Sequence, residues 1–324
     1  MFSLEHVSLR TGTGWRLQDL TLQISGPSTA IIGYSGAGKS SLLNLLAGYE
    51  HPDSGIIRRP TPAAPTNCHL PLFWVPQNGG LWPHLTAKQH LLAVQPGFPH
   101  TTRNSSISPD EILARLALSH RANARPSQLS LGESSRLAVA RALIACADWL
   151  LMDEPLAHVD PVRKPDFWHA VEEIARAAGT HLVFSSHEPE FILRHALQAV
   201  CLHQGQLLWT GTVQELFKNP PSAELGRFLG PLNWWTPAEA SALSTHCPAT
   251  KSPPVPPETC LRPHQIQLQP HPAAGLTVLH TRCCGLYHET QLQARSGQTL
   301  SVLHTTNCPL SPGSTVTAGI QGAA

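Results

Sequence analysis

Short apolar runs alternate with longer amphipathic segments through the first 230 residues of the chain. The runs at 29–32, 73–75, 149–152 and 182–184 have the length and composition of buried strands. Segments such as 41–47 and 134–143 instead place apolar side chains at helical spacing. Strands that alternate with helices favour a mainly parallel sheet covered by helices, so we expect an α/β domain over residues 1–230.

The pattern changes after residue 230. Prolines at 248, 253, 254, 256 and 257 lie in a stretch that we expect to be a stiff linker, with bounds 231–257. Beyond it, residues 265–268 and 299–303 alternate apolar and polar side chains, and glycine and proline separate such runs. This period of two predicts a small, β-barrel-like domain over residues 258–324.

The eight residues 33–40 read Gly-Tyr-Ser-Gly-Ala-Gly-Lys-Ser and fit the phosphate-binding pattern G-x-x-x-x-G-K-S/T. They lie between a predicted strand and a predicted helix, as the pattern requires. Glycines let backbone N–H groups turn towards phosphate oxygens, and a helix N-terminus adds positive potential. Lys39 is placed to reach the β and γ phosphates and Ser40 to hold Mg²⁺, so the sequence predicts a nucleotide site.

A second chemical feature follows the apolar run at 149–152, which ends in Asp153 and Glu154. A buried strand of this kind can deliver two carboxylates beside a phosphate-binding loop. We expect Asp153 to hold the Mg²⁺ shell and Glu154 to polarise the attacking water. The ordinary alternative is a strand that ends in a solvated acidic turn.

Between these two features, the residues Leu-Ser-Leu-Gly-Glu at 129–133 precede a helical run. The segment and the order of motifs around it resemble the ATP-binding subunits of ATP-binding-cassette (ABC) transporters, whose signature is L-S-G-G-Q/E. Ser130, Gly132 and Glu133 match, whereas Leu131 replaces the first glycine. The resemblance implies that Ser130 and Gly132 bind the γ phosphate held by a second subunit, and that Leu131 alters affinity or turnover there.

Three more residues match this family in order. Gln77 corresponds to the Q-loop glutamine, which faces Mg²⁺ and water and links the site to membrane subunits. Asp160 corresponds to the aspartate of the D-loop at the dimer seam, and His187 to the switch histidine at the γ phosphate. The implied fold is a P-loop NTPase cassette with a helical subdomain at about 85–145.

The resemblance also implies cofactors and partners. The cofactors are ATP and Mg²⁺. The partners are a second copy of the chain in a head-to-tail dimer, membrane permease subunits and a solute-binding protein, with no nucleic acid. The implied catalytic residues are Glu154, His187 and Gln77; the Mg²⁺ ligands are Ser40, Gln77 and Asp153; and the nucleotide contacts are Gly33, Ser35, Gly36, Ala37, Gly38, Lys39, Ser40, Ser41, Ser130, Gly132, Glu133 and Asp160.

Adenine recognition is less clear from the sequence. Members of the family usually place an aromatic residue early in the chain to stack on adenine, at a position near Thr11 here. The nearby aromatic residue is Trp15. Two interpretations stay open: Trp15 stacks on adenine from a shifted loop, or it packs in the core.

The C-terminal region extends the resemblance to importers. Residues 205–230 are similar to the end of import-type ATPase domains. Residues 261–266 and the turn at 310–313 resemble the small TOBE-type β module of ATPases for sugars, polyamines, ferric iron, molybdate and related anions. The resemblance implies that such a module dimerises, regulates or binds an oxyanion, and the segments at 28–39 and 160–164 favour the molybdate type.

Composition narrows the functional classes. A net charge of +1 without a basic stripe argues against a general polyanion binder. No apolar run has the length of a membrane span, and the first residues lack the regions of a signal peptide, so we expect a protein at the cytoplasmic face of the cell membrane. The 8 cysteines lack C-x-x-C spacing, which predicts reduced thiols. Six of the 19 histidines lie in the last third without ligand-like pairing, which favours scattered surface histidines over a metal site there: His246, His264, His271, His280, His288 and His304.

Two other functions stay open at this point. One is an ABC ATPase of DNA repair or translation that clamps nucleic acid, although such proteins usually carry long coiled coils or two tandem cassettes. The other is a regulatory protein with a weakly active cassette and an oxyanion-sensing tail. ATP hydrolysis, and its stimulation by nucleic acid, would separate these functions.

Overall fold

A computed structural model describes residues 1–12, 14–60, 70–95, 107–244, 259–272, 274–306 and 310–320. The chain divides into two compact units, Met1–Gln214 and Glu215–Ala324. Each unit has its own sheets and its own hydrophobic core.

The first unit contains strands β1–β9 and helices α1–α6. The strands are β1 (Phe2–Thr11), β2 (Gly14–Ile24), β3 (Ser28–Ile32), β4 (Ser54–Arg58), β5 (Leu72–Val75), β6 (Trp149–Met152), β7 (His181–Ser185), β8 (Gln198–His203) and β9 (Gln206–Thr212). The helices are α1 (Lys39–Ala47), α2 (Ala87–Val94), α3 (Pro109–Arg115), α4 (Leu131–Ile144), α5 (Lys164–Ala178) and α6 (Pro189–His195).

Two sheets form in this unit. The larger has the order β5-β6-β7-β3-β8-β9, and its strands are parallel except for β9, which is antiparallel at one edge. The smaller sheet, β2-β1-β4, is antiparallel. The mainly parallel sheet predicted from the apolar runs is confirmed.

The order of the parallel strands places the candidate site. Strand β6 is buried at all four residues, as expected for a central parallel strand with both faces covered. Strands β6, β7 and β3 are neighbours, so their carboxyl ends meet at one edge of the sheet. Loops that follow these ends are where open α/β sheets bind ligands.

Among the described residues between β5 and β6, the α-helices α2, α3 and α4 lie in the range predicted for a helical subdomain. Helix α2 begins with a capping box formed by Thr86 and Gln89. Helix α3 begins after Ser108, whose hydroxyl accepts a hydrogen bond from the backbone of Glu111. Helix α4 has ten buried residues along its length and packs close to both other helices.

The second unit is mostly antiparallel sheet. Its strands are β10 (Asn233–Trp235), β11 (Thr259–Leu261), β12 (Ile266–Pro270), β13 (Leu276–Cys283), β14 (His288–Ala294), β15 (Thr299–His304) and β16 (Thr315–Ile320), and its helices are α7 (Val213–Lys218), which starts at the boundary, α8 (Ala223–Phe228) and α9 (Pro237–Ser244). The main sheet has the order β12-β16-β13-β14-β15. A 2.9 Å hydrogen bond runs from the Leu268 amide in β12, at one edge of this sheet, to the hydroxyl of Thr306, which follows β15 at the other edge.

The stretch expected to be a linker is folded in its first half. Residues 231–244 contain β10 and α9, and the side chains of Trp235, Ala240 and Leu243 lie in the core of the second unit. These apolar positions are too widely spaced to stand out from the prolines that follow. The prolines at 248–257 lie outside the described residues.

Arg262 organises the start of the second unit. Its buried guanidinium donates hydrogen bonds to the backbone carbonyls of Phe217, Gly226, Gly230 and Pro231 at 3.0–3.2 Å. The guanidinium carbon also lies 4.2 Å from the centre of the Phe217 ring. One side chain therefore joins the turn before β12 to the segment that contains α7 and α8.

The described histidines, cysteines and carboxylates include no group of three or more that could hold a metal ion. None of the described helices is both long and apolar enough to cross a membrane. The thiol of Cys201 is buried, and burial raises its pKa to about 12.

Candidate functional site

The predicted site residues lie at the carboxyl ends of neighbouring strands. The loop 33–40 follows β3, Asp153 and Glu154 follow β6, and His187 follows β7 after one intervening residue. Because β6, β7 and β3 are adjacent, the sheet gathers side chains that are up to 154 positions apart in the sequence.

The loop 33–40 has the backbone of a phosphate cradle. Gly38 has φ of 104°, and a Cβ atom there would lie 2.7 Å from the Leu17 side chain and 2.9 Å from the Arg16 carbonyl oxygen. Only glycine fits this conformation and this close approach. No side chain of the described residues caps α1. The first amides of a helix have no partner within it, and such amides are the usual donors to a bound phosphate.

The side chain of Lys39 lies within this loop. It is 8% exposed, and its ammonium group donates hydrogen bonds to the carbonyl oxygens of Gly33 at 2.8 Å and Tyr34 at 3.3 Å. Ser40, the next residue, is exposed. The ammonium group of Lys39 is therefore held by two backbone carbonyls, and the neighbouring residue Ser40 is exposed to solvent.

Arg16 and Glu50 form a charged network that contacts the first turn of α1. Arg16 donates to the Ser41 hydroxyl at 3.0 Å and makes two hydrogen bonds to the Glu50 carboxylate, at 2.6 and 3.1 Å. Asn44 donates to the same carboxylate at 2.8 Å. Burial acts to raise the pKa of Glu50, but the bonds from Arg16 and Asn44 outweigh it and hold the pKa below its usual value. Ser41 is thus buried and held by Arg16.

Ser185 connects the two carboxylate residues. Its hydroxyl donates to Asp153 Oδ1 at 2.6 Å and accepts the backbone N–H of Glu154 at 2.7 Å. Asp153 is 5% exposed, and its own backbone N–H donates to the Val75 carbonyl at 2.9 Å. Sequence reasoning missed Ser185, since a serine that ends a strand carries no distinctive signal.

Glu154 and His187 form a pair at the mouth of the site. His187 Nδ1 lies 3.2 Å from Glu154 Oε1, and the side chain of His187 is 61% exposed. Glu154 has φ of 48°, the left-handed region that costs a non-glycine residue about 1 kcal/mol or more. The hydrogen bond from its amide to Ser185 helps to hold this conformation.

Gln77 lines the same cavity as these carboxylates. The cavity has a volume of about 230 Å³, and its walls include Gln77, Asp153 and Glu154. Leu131 and His158 also line it. The structure therefore brings Gln77 to the same space as both carboxylates, as the sequence predicted.

Ser130 and Glu133 hold each other at the start of α4. The Ser130 hydroxyl accepts the Glu133 amide at 3.1 Å, and Glu133 Oε2 accepts the Ser130 amide at 2.8 Å, which together form a capping box. The Ser130 amide lowers the pKa of Glu133 to about 2, against the opposing effect of burial and with help from Arg121. The hydroxyl hydrogen of Ser130 is still available to donate.

Leu131 and Gly132 occupy different environments in the first turn of α4. Leu131 is 69% exposed. A Cβ atom on Gly132 would lie 2.8 Å from the carbonyl oxygen of His158 in the loop after β6. Only glycine therefore lets α4 approach this loop so closely. In that loop, Asp160 accepts the Val162 amide on its side chain at 2.8 Å.

Trp15 is not part of the core. It lies in β2, is 43% exposed, and has the guanidinium of Arg10 3.9 Å from its ring centre. The next residue, Arg16, has its carbonyl oxygen against Gly38 of the phosphate loop. The core-packing interpretation is therefore wrong, and the adenine interpretation stays a prediction.

The donor groups fit a nucleotide with Mg²⁺. Ser40, Gln77 and Asp153 offer hydroxyl, amide and carboxylate oxygens, the hard ligands that Mg²⁺ takes, alongside phosphate. The loop amides and Lys39 provide the complementary groups for phosphate oxygens.

Comparisons with known proteins decide the family. A family model described as ABC transporter matches residues 17–157. The thiamine import ATP-binding protein ThiQ of a Ruegeria species is 34% identical over 233 residues, which cover 71% of this chain and 100% of ThiQ. The chain belongs to the ATP-binding subunits of ABC transporters.

This ABC subunit is also similar to a second import ATP-binding protein and to a solved cassette structure. The Fe(3+) ions import ATP-binding protein FbpC of Brucella melitensis is 28% identical over 301 residues, which cover 87% of this chain and 85% of FbpC. A solved dimeric structure of an ATP-binding cassette in a post-hydrolysis state, with ADP and phosphate, has a TM-score of 0.54 and 23% identity, and covers 66% of this chain and 99% of that one. The second similarity concerns the fold, and it confirms the cassette.

Proposed function

We propose that this chain is the ATP-hydrolysing subunit of an ABC import complex. The observation that carries the proposal is the convergence of Lys39, the Asp153–Ser185 pair and the Glu154–His187 pair at one edge of the sheet. The family adds that both relatives named above are import ATP-binding proteins. They are named for thiamine and for ferric ions, so the solute of this chain stays open.

The first group of residues would bind the triphosphate. The amides of Gly33, Ser35, Gly36 and Gly38 would donate to phosphate oxygens, as would that of Ala37 on leaving the Tyr34 carbonyl, to which it donates at 3.0 Å. Lys39 would exchange its carbonyl partners for β and γ phosphate oxygens. Ser40 and Ser41 would complete the contact at the start of α1. The neutral serine hydroxyls and the single cation suit a ligand that brings its own metal.

The metal ion would be held by Ser40, Gln77 and Asp153. When bound, Mg²⁺ neutralises charge that develops on the phosphates. Asp153 is fixed for this role because the Ser185 hydroxyl holds one of its oxygens at 2.6 Å.

Glu154 and His187 would act on the reacting atoms. We infer that Glu154 orients the attacking water and accepts its proton. His187 would contact the γ phosphate and, through its bond with Glu154, hold that carboxylate in place. Gln77, which lines the same cavity, would report the state of this site to a membrane subunit.

A second copy of the chain would complete the nucleotide site. Ser130 is exposed and Gly132 partly exposed at the start of α4, where a helix N-terminus favours an anion, whereas Glu133 is buried and holds Ser130 through the capping box. We infer a head-to-tail homodimer in which Ser130 and Gly132 face the γ phosphate bound by the partner, with Glu133 orienting Ser130 and Asp160 at the seam. ATP binding would close the dimer and hydrolysis would open it.

The remaining parts of the chain would serve the complex. We propose a cassette over residues 1–230, of which 215–230 belong to the second compact unit, and a TOBE-like domain from 258. We also propose that this chain lies at the cytoplasmic face of the membrane, with permease subunits and an external solute-binding protein as partners. The match to FbpC over 301 residues supports the presence of a second domain, because it extends well past the cassette.

Steady-state ATP hydrolysis by the purified protein tests the proposal. We expect Mg²⁺-dependent hydrolysis, its loss in Glu154→Gln, and unchanged ATP affinity in that variant. Glu190→Gln, which removes an exposed carboxylate from α6, should hydrolyse ATP like the wild type. A wild-type protein that binds ATP without hydrolysing it would favour the regulatory function, and stimulation by nucleic acid would favour the clamp.

A further inference from the structure

An ion pair outside the site described above joins two of its loops. Lys164 is the first residue of α5 and is 6% exposed. Its ammonium group donates to Glu188 Oε1 at 2.7 Å and lies 4.8 Å from the centre of the Phe191 ring. Both partners follow predicted site residues closely, Lys164 by four positions from Asp160 and Glu188 by one from His187.

The position of Lys164 is unfavourable for a cation. The first turn of a helix carries partial positive charge, so a lysine there is less stable than a neutral or acidic residue. Burial of the ammonium adds a desolvation cost. Helix stability alone therefore does not account for the lysine. Its contacts with Glu188 and Phe191 offset the repulsion and the desolvation cost.

Each end of the pair is tied to a site loop by backbone geometry. The amides of Arg163 and Lys164 both donate to the Asp160 carbonyl, at 3.0 and 2.9 Å, so the start of α5 moves with the Asp160 turn. The amide of Glu188 donates to the Ser186 hydroxyl at 3.1 Å, which fixes the short segment that carries His187.

We propose that Lys164 is a positioning residue that sets His187 against Glu154 and couples this pair to the Asp160 turn. The inference rests on the proposed function, in which Asp160 lies at the dimer seam and His187 at the γ phosphate of the same chain. Movement of the Asp160 turn on dimer closure then shifts α5, and Lys164 carries the shift through Glu188 to His187. Closure and the alignment of the catalytic pair become one event.

Lys164→Met tests this role, because it keeps the length of the side chain and removes its charge. We expect kcat for ATP hydrolysis to fall about tenfold or more, since misplacing a reacting group by about 1 Å costs up to about 100-fold. KM should change less than about threefold, because Lys164 touches no part of the phosphate loop. The Hill coefficient for ATP should also fall towards one. Lys164→Arg keeps the charge and should restore most of kcat.

Two further variants separate positioning from stability. Glu188→Gln removes the charge from the more exposed partner and should lower kcat in the same way, which keeps the test valid if Lys164→Met folds poorly. Lys88→Met breaks the exposed pair between Lys88 on α2 and Asp110 on α3, and should leave kcat and cooperativity unchanged.

Each result bears on one of the two claims. Wild-type kcat and cooperativity in Lys164→Met would overturn the inference, as would a loss in Lys164→Arg as large as that in Lys164→Met. Absence of hydrolysis in the wild-type protein would instead overturn the proposed function on which the inference rests.

Discussion

The hydroxyl of Ser185 donates a 2.6 Å hydrogen bond to the buried carboxylate of Asp153. The same oxygen accepts the amide of Glu154, whose backbone is in the left-handed region. One side chain at the end of β7 thus fixes both acidic residues at the end of β6. A hydroxyl is the right group because it donates and accepts at once.

Ser185→Ala should weaken both stability and catalysis. The change leaves a buried carboxylate oxygen and an amide without their partner, so we expect a loss of about 1–3 kcal/mol in the free energy of unfolding. We also expect kcat for ATP hydrolysis to fall, because Asp153 and Glu154 lose their alignment. Urea unfolding and steady-state kinetics measure the two effects.

Ser28→Ala provides the matched control for Ser185→Ala. Ser28 begins β3, at the end of the strand away from the phosphate loop, and its hydroxyl donates at 2.6 Å to the carbonyl of His195 in α6. We expect it to lower stability by a similar amount while kcat stays within about twofold of wild type. An equal loss of kcat in both variants would assign the effect of Ser185 to general stability.

Trp15→Ala tests adenine stacking. Stacking of a base on an aromatic ring contributes about 1–3 kcal/mol, so we expect ATP affinity to fall at least about fivefold. Trp15→Phe should retain most of the affinity. Trp234→Ala, which removes a partly exposed tryptophan in the second unit, should leave ATP affinity unchanged. Equal ATP affinity in Trp15→Ala and the wild type would exclude Trp15 from the adenine site.

Glu133 makes a pH-dependent contribution to stability. Its pKa in the folded protein is about 2, below the ordinary value of 4.5, so folding favours the ionised form. The resulting stabilisation is complete above about pH 4.5 and is lost as the pH falls towards 2. We expect the difference in unfolding free energy between wild type and Glu133→Gln to shrink from pH 5 to pH 3. Parallel curves over this range would contradict the assignment.

Arg262→Met should destabilise the second unit strongly. It removes the donor for four backbone carbonyls, and buried acceptors without partners cost about 1–3 kcal/mol each when water does not reach them. We expect a loss of about 3 kcal/mol or more in unfolding free energy. Arg282→Met, at the exposed end of β13, should change it by less than about 0.5 kcal/mol. A loss in Arg262→Met no larger than that in Arg282→Met would contradict this role of Arg262.

Local patterns in the sequence predicted the strands and the position of the phosphate-binding loop well. The run at 149–152 is strand β6 with the same bounds, and the run at 182–184 is β7 extended by one residue at each end. The phosphate pattern at 33–40 lies between β3 and α1 as expected. These features are readable because apolar periodicity and glycine spacing are local properties.

What the sequence did not reveal depends on contacts between distant segments. Ser185, the Arg16–Glu50 network and the Lys164–Glu188 pair join residues 24 to 34 positions apart, and no local pattern marks them. The linker prediction at 231–257 followed proline content, whereas Trp235 and Leu243 are buried in the second unit. Burial of such scattered residues depends on the complete sheet.

The central claim is that two copies of this chain share each triphosphate. A structure of Glu154→Gln with ATP and Mg²⁺ tests it most directly. We expect a head-to-tail dimer in which Lys39 of one protomer and Ser130 of the other contact the same γ phosphate. ATP bound to Lys39 in a protomer whose partner's Ser130 lies far from every phosphate would contradict the claim.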